Sequence, residues 1–383
     1  MSSHFTFTPS DCKIEEFEAL ISEPLDPGRL QFASSVEFNI PIYTATETEA
    51  ALAAPDTRRA LLAEWAQVLG DLSGVLVLKG AIPDLDAVDA ATTAFEAIIG
   101  EERALNTGGD HFGERGANER VWNSLQKLCL RDPHLFARYF ASPAVAAVSE
   151  AWLGPWWQMT TQVNLVRPGG KPQTCHRDYH LGFVTQDQAQ AFPAHAHRLS
   201  PALTLQGAVA HCDMPVESGP TKLLPNSQRY GPGYVAALLP AFRDLFERRH
   251  VQLPLQKGDG LFFNPALFHA AGENRSSNIQ RMANLMQIGS AMGRTLERID
   301  RPGMVRRLFP ALRDLNLTGA ARAAAIGAAA EGYPFPTNLD TDPPIGGLAS
   351  ESQAELLARA LDTGMGVDDF NAALEENSAR RVP

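Results

Sequence analysis

Cysteine is scarce in this chain of 383 residues. There are four cysteines, and no two of them form a CxxC pair; they are Cys12, Cys129, Cys175 and Cys212. This usage provides no thiolate zinc site and fits a reducing compartment, so we expect a cytoplasmic protein.

Several other features are missing as well. No apolar run approaches the roughly 20 residues that a membrane-spanning helix needs. The N-terminus has neither the basic n-region nor the continuous apolar segment of a secretory signal. The net charge of −11 disfavours nucleic acid or an anionic membrane as the main partner. We therefore expect neither nucleic acid nor a membrane as a partner, and the composition leaves the oligomeric state open.

The sequence changes character along its length. Residues 1–56 are interrupted by prolines and are interpreted as an N-terminal extension packed on the core. Helical spacing occupies residues 56–72, with Asp56 as the expected cap, then 84–100 and 133–154, where Pro143 breaks the third segment. "GVLVLKG" reads as a buried strand, and short strand-like runs separated by Gly, Pro and Asn fill residues 156–289.

After residue 300 the pattern returns to helix, including a capping box from Ser352 to Glu355. Helices followed by many short antiparallel strands predict an α+β fold whose β part is a barrel or jelly roll. We place this domain, with its N-terminal helices, at residues 57–300 and a helical C-terminal extension at 301–383.

The segment "QTCHRDYHLGF", residues 173–183, suggests a metal site. If it forms a strand, His176 and Asp178 point to the same face and can share one metal ion. His269, in "GDGLFFNPALFHAAGENRS", offers a third ligand. Two histidines and a carboxylate make the facial triad of non-heme Fe(II) oxygenases. The spacing alone leaves rivals, since His211 with Asp213, or His195 with His197 in what looks like a solvated loop, could also chelate.

Four motifs in order resemble the phytanoyl-CoA dioxygenase family. They are "GVLVLKGAIP", "CHRDYHLGF", "HCDMPVESGPTKLLPNSQRYG" and "GDGLFFNPALFHAAGENRS", and together they span residues 74–290. The resemblance implies a double-stranded β-helix (a jelly-roll or cupin-like core with flanking helices) and oxidation that depends on Fe(II), 2-oxoglutarate and O₂, releasing succinate and CO₂. It also assigns the ligand role to His176, Asp178 and His269, and it places His211 and Asp213 outside the triad.

The resemblance implies a co-substrate pocket too. An arginine on the strand after the distal histidine pairs with the far carboxylate of 2-oxoglutarate in this family, and Arg281 lies twelve residues past His269. Arg275, in the preceding turn, is the alternative. Asn164 and Thr221 are further co-substrate candidates, and Gln162 is a candidate substrate contact. Because family members that halogenate lack the metal carboxylate, the presence of Asp178 implies hydroxylation.

Basic residues cluster near the triad in an otherwise acidic chain. The cluster consists of Arg167, Lys171, Arg177, His180 and Arg198. Focused positive potential would favour an acidic substrate of small or medium size. Strand alternation turns Arg177 and Tyr179 away from the metal and brings His180 back to it, so His180 is the expected substrate contact. The remaining alternatives are a non-catalytic β-helix binding protein and a metallohydrolase that uses the same ligands on zinc.

Overall fold

The computed structural model describes residues 5–105, 107–109 and 118–382. In these residues the helices are α1 Ile14–Ile21, α2 Ala45–Leu52, α3 Pro55–Gly70, α4 Leu85–Ala104, α5 Ser124–Arg131, α6 Pro133–Tyr139, α7 Pro143–Leu153, α8 Gln186–Ala191, α9 Ala194–Ala202, α10 Gly233–Ala236, α11 Pro240–Arg249, α12 Arg301–Asp314, α13 Gly319–Ala329, α14 Gln353–Asp362 and α15 Val367–Ala379. Within the same ranges, no helix is both long and apolar enough to cross a bilayer.

The strands form two sheets that face each other. They are β1 Ser35–Glu37, β2 Ile40–Tyr43, β3 Val75–Leu78, β4 Asn118–Val121, β5 Gln158–Val166, β6 Thr204–Ala210, β7 Lys222–Leu224, β8 Gly260–Phe263, β9 Phe268–Ala270 and β10 Arg281–Gly289. The large mixed sheet runs in the order β1-β2-β3-β8-β6-β10-β5-β4, and β7 pairs with β9 in the small one. The predicted α+β class is confirmed, and the paired sheets are those of a double-stranded β-helix.

The register of the large sheet decides which side chains face inward. β10 pairs antiparallel with β5 on one side and with β6 on the other, so that Leu285 lies opposite both Gln162 and Ala208. Because side chains alternate between faces, the odd-numbered residues of β10 and the even-numbered residues of β5 and β6 share the concave face. This face forms one wall of the site described below.

The small sheet is extended by single bridges. His176 pairs with His269 on β9, and Leu223 on β7 pairs with Val251. Met214 also bridges to Leu255, so single contacts extend the small sheet where the large sheet has regular strands. The small sheet positions the site because it brings His176 and His269, which are 93 positions apart in the sequence, into direct backbone contact.

Helices cover the outer face of the large sheet. Leucines and phenylalanines of α3–α7 share one hydrophobic core with α12–α15, which includes Phe309 stacked on Phe370 with ring centroids 4.0 Å apart. Near the N-terminus, Phe17 of α1 packs on Phe268 of β9 at 4.9 Å. The residues assigned to the two extensions thus contribute side chains to the packing of the molecule, while the boundaries themselves stay predictions.

Most helix predictions hold, with two differences at the ends. The capping box of α14 forms between Ser352 and Glu355 as expected, and the third segment divides at Pro143. However, α3 begins at Pro55, so Asp56 lies in its first turn and does not cap it. α4 continues four residues past Gly100, because glycine lowers helix stability without forbidding a helix.

Candidate metal centre and cavity

His176, Asp178 and His269 come together in the structure. One ligand atom from each lies within 4.8 Å of the other two. Asp178 Oδ1 is 3.5 Å from His176 Nε2, and Asp178 Oδ2 is 3.5 Å from His269 Nε2. Two imidazole nitrogens and a carboxylate at this separation fit the facial donor set of a non-heme Fe(II) centre.

Backbone contacts orient both imidazoles. His176 Nδ1 lies 2.7 Å from the carbonyl oxygen of Thr174, and His269 Nδ1 lies 2.9 Å from that of Leu267. A carbonyl oxygen can only accept, so Nδ1 is the protonated nitrogen in each ring and Nε2 keeps its lone pair for a metal. The two segments are joined by reciprocal backbone hydrogen bonds of 3.1 and 3.2 Å. The pairing therefore fixes the positions of both ligands before any metal binds.

Asp178 is held by a neighbour that the sequence analysis missed. Gln206 on β6 donates its side-chain amide to Asp178 Oδ2, and the Asp178 backbone N–H donates to the carbonyl of Pro265 at 2.9 Å. Burial acts to raise the pKa of Asp178, but His176, His269 and the Gln206 amide together hold that pKa below its ordinary value. The carboxyl is thus a carboxylate, the form that a metal requires.

The segment that carries His176 and Asp178 is not a regular strand. Only His176 makes a bridge, and the chain then turns, with φ of +63° at Tyr179 and +46° at His180, into a 3-10 turn at His180–Phe183. The prediction that His180 returns to the ligand face is therefore wrong. His180 lies half-buried, 3.4 Å from the Ser200 hydroxyl, and is absent from the cavity wall of the described residues.

The neighbouring predictions fare differently. Arg177 does face away from the metal, but it is buried, with Nη2 donating to the carbonyls of Ser227 and Tyr230. Tyr179 was expected to point outward, yet it is also buried and donates its hydroxyl to Gln287. The triad is thus backed by packed side chains and not by a solvated hairpin.

Gly182 closes the turn behind Asp178, and we expect Gly182→Ala to destabilise the protein by about 1–3 kcal/mol. A Cβ at this position would lie 2.1 Å from the backbone oxygen of Arg177, which cannot move without shifting both neighbouring ligands. The check is the urea midpoint of unfolding. Gly100→Ala is the matched control, because its Cβ meets open space in α4 and should add about 0.5–1 kcal/mol. Equal midpoints for the two variants would contradict the close packing.

A cavity of about 800 Å³ opens beside the triad. Its wall includes all three triad residues and several inward-facing residues of β5, β6 and β10, among them Asn164, Gln206 and Leu285. Of the predicted co-substrate and substrate residues, those that line it are Gln162, Asn164, Thr221 and Arg281. A cavity of this volume accommodates 2-oxoglutarate together with a small or medium-sized second molecule.

Arg281, the predicted co-substrate arginine, is one of two arginines on the described wall of the cavity. It begins β10 and is buried, and its Nη1 donates to the carbonyls of Ser218 and Gly272 at 3.1 Å each. No carboxylate in the described part of the chain pairs with it. Burial lowers the pKa of Arg281 to about 10, so the guanidinium is still charged at neutral pH. Arg275, by contrast, is exposed and does not line the cavity.

The five basic residues predicted to attract an acidic substrate do not line the cavity in the described structure. Arg167 pairs with Glu119 at 3.1 Å, Arg177 is enclosed, and Lys171 and Arg198 are exposed elsewhere. Two charged residues that the sequence analysis missed, Arg120 on β4 and Glu297, line it instead. The five basic residues that are close in sequence are therefore not grouped around the cavity in the described structure.

The rival ligand pairs have structural roles. His211 is buried, with Nδ1 2.8 Å from the Thr92 hydroxyl and Nε2 2.7 Å from the Tyr139 hydroxyl, and burial lowers its pKa to about 3. His195 and His197 lie on α9 and not in a solvated loop; His197 is buried and contacts the Ala189 carbonyl at 3.0 Å. Within the residues described, the only metal-capable group of three is the predicted triad.

Comparison with known proteins agrees with this site. Residues 70–283 match the model of the phytanoyl-CoA dioxygenase (PhyH) family. "Dioxygenase trt7" of Aspergillus terreus (strain NIH 2624 / FGSC A1156) is 25% identical over 222 residues, which cover 56% of this chain and 69% of that protein. "Dioxygenase olcK" of Penicillium canescens is 24% identical over 225 residues, 56% of this chain and 66% of that protein. "Dioxygenase andF" of Emericella variicolor is 27% identical over 143 residues, 36% of this chain and 45% of that protein.

Solved structures give similar but more distant matches. The epimerase SnoN from nogalamycin biosynthesis, in complex with Fe3+, alpha ketoglutarate and nogalamycin RO, has a TM-score of 0.42 at 21% identity, covering 61% of this chain and 85% of that one. The non-heme alpha ketoglutarate dependent carbocyclase SnoK has a TM-score of 0.42 at 19% identity, covering 60% and 83%. Since the family model spans more than half of the chain, the protein belongs to the phytanoyl-CoA dioxygenase family and is an Fe(II)- and 2-oxoglutarate-dependent dioxygenase.

Proposed function

We propose that this dioxygenase hydroxylates a C–H bond of a small or medium-sized molecule, with His176, Asp178 and His269 as the iron ligands. The observation that carries the proposal is that the triad and the buried Arg281 face one cavity. Bound iron, with 2-oxoglutarate and O₂, supplies the oxidising chemistry: one oxygen atom enters succinate, CO₂ leaves, and the other oxygen atom enters the substrate. The protein binds both organic molecules and keeps water away from the reacting C–H.

Three residues of the cavity are the proposed contacts of 2-oxoglutarate. Arg281 holds the far carboxylate of 2-oxoglutarate through its planar fork. Asn164 and Thr221 also line the cavity and are the proposed additional contacts of the co-substrate. Asn164 lies two residues from Val166, the β5 partner of Arg281, and Thr221 lies three residues after Ser218, whose carbonyl accepts from Arg281. The Asn164 side chain would contact the co-substrate through its N–H₂ group, because every oxygen of 2-oxoglutarate is an acceptor and the Asn164 Oδ1 cannot donate.

Hydroxylation is favoured over halogenation by Asp178. A carboxylate in the third ligand position leaves no vacancy for a halide, and Gln206 holds that carboxylate in place. The hydrogen bond from Gln206 also supports Asp178 as the carboxylate ligand of the metal.

The acidic character of the substrate stays a prediction, and the cavity gives it no special support. Among the described residues of the wall, the charged ones apart from the histidines are Arg120, Asp178, Arg281 and Glu297. If iron neutralises Asp178 and 2-oxoglutarate neutralises Arg281, one positive and one negative charge remain. The described side chains of the wall thus leave no excess of positive charge that would favour an anion.

We expect Fe(II)-dependent conversion of 2-oxoglutarate to succinate that carries one atom from ¹⁸O₂. A metabolite screen under ¹⁸O₂, with and without chloride, then identifies substrates by their stimulation of succinate release and should give ¹⁸O-labelled alcohols in both conditions. Protein loaded with Zn(II) is the control and should release none. Succinate without the label would contradict the oxygenase, and a chlorinated product would contradict the role of Asp178.

A further inference from the structure

The register of the large sheet places three polar side chains in one line across its concave face. Gln287 of β10 lies opposite Thr160 of β5 on one side and opposite Gln206 of β6 on the other. All three side chains are buried, and we refer to them as the polar row. Residues directly opposite each other on paired strands share a face of the sheet. Because Gln206 donates its side-chain amide to Asp178, the polar row lies beside the metal centre.

The polar row holds two consecutive residues of the segment that carries the ligands. Gln206 contacts the Asp178 carboxylate, and Gln287 Oε1 accepts a hydrogen bond from the hydroxyl of the next residue, Tyr179. The Thr160 hydroxyl interacts with the same Tyr179 hydroxyl, and it also donates to the Gln287 carbonyl at 2.8 Å. An extended strand would point two successive side chains to opposite faces. Both therefore reach one row because the chain turns at Tyr179.

This turn has an unfavourable backbone conformation. Tyr179 has φ of +63° and ψ of +138°, a combination that residues other than glycine rarely adopt. Such conformations persist only where surrounding contacts fix them, and they cluster at functional sites. The Tyr234 hydroxyl donates to the Asp178 carbonyl at 3.1 Å, and the Ser200 hydroxyl donates to the Tyr179 carbonyl at 3.2 Å. These bonds hold the main chain, whereas the bond to Gln287 holds the side chain of the strained residue itself.

The line that contains the polar row continues to a second ligand. Phe263 of β8 lies opposite Gln206, and its ring centroid is 4.7 Å from that of His269. Four neighbouring strands of the large sheet thus contact Asp178, Tyr179 and His269 at one level. Paired strands have a fixed spacing and register. The large sheet is therefore a rigid reference for ligands that lie on an irregular segment and on a strand of three residues.

We propose that Tyr179 is a positioning residue for the metal centre, and that its hydroxyl, held by Gln287 and Thr160, keeps the turn in the conformation that points the Asp178 carboxylate at the two imidazoles. Without the hydroxyl bond, the backbone at Tyr179 relaxes toward an ordinary φ, and the carboxylate moves because the two residues share a peptide bond. Metal binding must then restore the turn, which lowers the affinity. The inference rests on the proposed iron ligands and adds residues that do not contact the metal.

Metal binding by the full chain tests the inference without turnover. Fe(II) is titrated anaerobically in the presence of 2-oxoglutarate and followed by the charge-transfer band, and Co(II) is bound separately as a spectroscopic probe of the donor set. We expect Tyr179→Phe to weaken Fe(II) binding about tenfold, the low end of the roughly 10- to 100-fold that loss of an outer partner of a metal ligand costs. We also expect altered d–d absorption of Co(II), because a displaced carboxylate changes the ligand field.

Tyr139→Phe is the matched control. Tyr139 is also buried, and its hydroxyl accepts at 3.2 Å from Asn284, which lies on the same strand β10 but on the face that the helices cover. Loss of this hydroxyl should lower stability and leave the Fe(II) affinity and the Co(II) spectrum of the folded protein unchanged. If Tyr179→Phe gives the same unchanged affinity and spectrum, the Tyr179 hydroxyl only stabilises the fold and the inference is overturned.

The partner residue tests the same bond from the other side. Gln287→Leu removes the acceptor while Tyr179 keeps its hydroxyl, so it should weaken Fe(II) binding by a similar factor, and it decides the question if Tyr179→Phe does not fold. If the two residues act through one hydrogen bond, the double variant should bind Fe(II) no more weakly than either single variant. Unchanged affinity in Gln287→Leu, or single losses that multiply in the double variant, would overturn the inference.

These failures differ from a failure of the proposed function. If only the role of Tyr179 is wrong, the unsubstituted protein still shows the visible charge-transfer band of Fe(II) with 2-oxoglutarate. If the proposed function is wrong, the unsubstituted protein itself lacks the band.

Discussion

Replacing His269 by alanine is expected to abolish specific Fe(II) binding and, with it, the visible charge-transfer band that forms when 2-oxoglutarate is added anaerobically. In the proposed centre His269 is one of three ligands, and its Nδ1–H contact with the Leu267 carbonyl leaves Nε2 as the nitrogen that can bind a metal. Loss of a supporting partner alone costs about 10- to 100-fold in metal affinity, so loss of the ligand itself should exceed that range. The measurement is an anaerobic Fe(II) titration followed by the band intensity.

Two other histidines serve as controls for this variant. His195→Ala removes an exposed histidine of α9 and should keep the full band. His211→Ala removes the rival histidine; it should lower stability, because Thr92 and Tyr139 lose a buried partner, but the folded fraction should still bind iron. A band that survives in His269→Ala and disappears in His211→Ala would show that the triad has been assigned wrongly.

The triad could be predicted from the sequence because two independent signals agreed. The spacing of His176 and Asp178 suggested a shared ion, and the order of four motifs selected them over His211 with Asp213. The backbone geometry that was assumed is nevertheless different. The segment brings His176 and Asp178 together with His269 through one bridge to β9 and not through a regular strand.

The same assumption explains why His180 was misplaced. Alternation of side chains holds only while the backbone remains extended. Positive φ values at Tyr179 and His180 reverse the chain directly after Asp178. Neither residue is a glycine, the residue type from which a turn with positive φ is usually predicted. A strand rule therefore gave a correct direction for Arg177 and wrong directions for the two residues that follow Asp178.

The substrate side of the cavity was the least predictable part. Nearness in sequence placed five basic residues around the triad, but sheet pairing, not sequence distance, decides which side chains share a wall. Arg120 comes from a strand that the pattern analysis did not identify, and Glu297 follows β10 without any motif. Gln206 could have been found, since it shares a strand face with the small residues Ala208 and Ala210 in "ALTLQGAVAHC".

Substitution of Arg281 by alanine is expected to weaken 2-oxoglutarate binding by about 10- to 100-fold, because a charge-assisted hydrogen bond contributes about 1.5–3 kcal/mol. Arg281 is buried and has no carboxylate partner in the described structure. Its Nη1 donates to two backbone carbonyls, so Nη2 and Nε remain to donate to a ligand. The apparent affinity is measured by titrating 2-oxoglutarate into the anaerobic Fe(II) protein and following the charge-transfer band.

The Arg281→Lys variant separates charge from geometry. Lysine keeps the positive charge but not the planar fork, so its affinity for 2-oxoglutarate should fall between those of the alanine variant and the unsubstituted protein. Arg275→Ala is the matched control, because Arg275 is exposed and lies off the cavity wall, and it should leave the titration unchanged. If Arg275→Ala weakens co-substrate binding and Arg281→Ala does not, the exposed arginine of the turn must move into the cavity when 2-oxoglutarate binds. The anchor would then be formed by the loop between β9 and β10 and not by the first residue of β10.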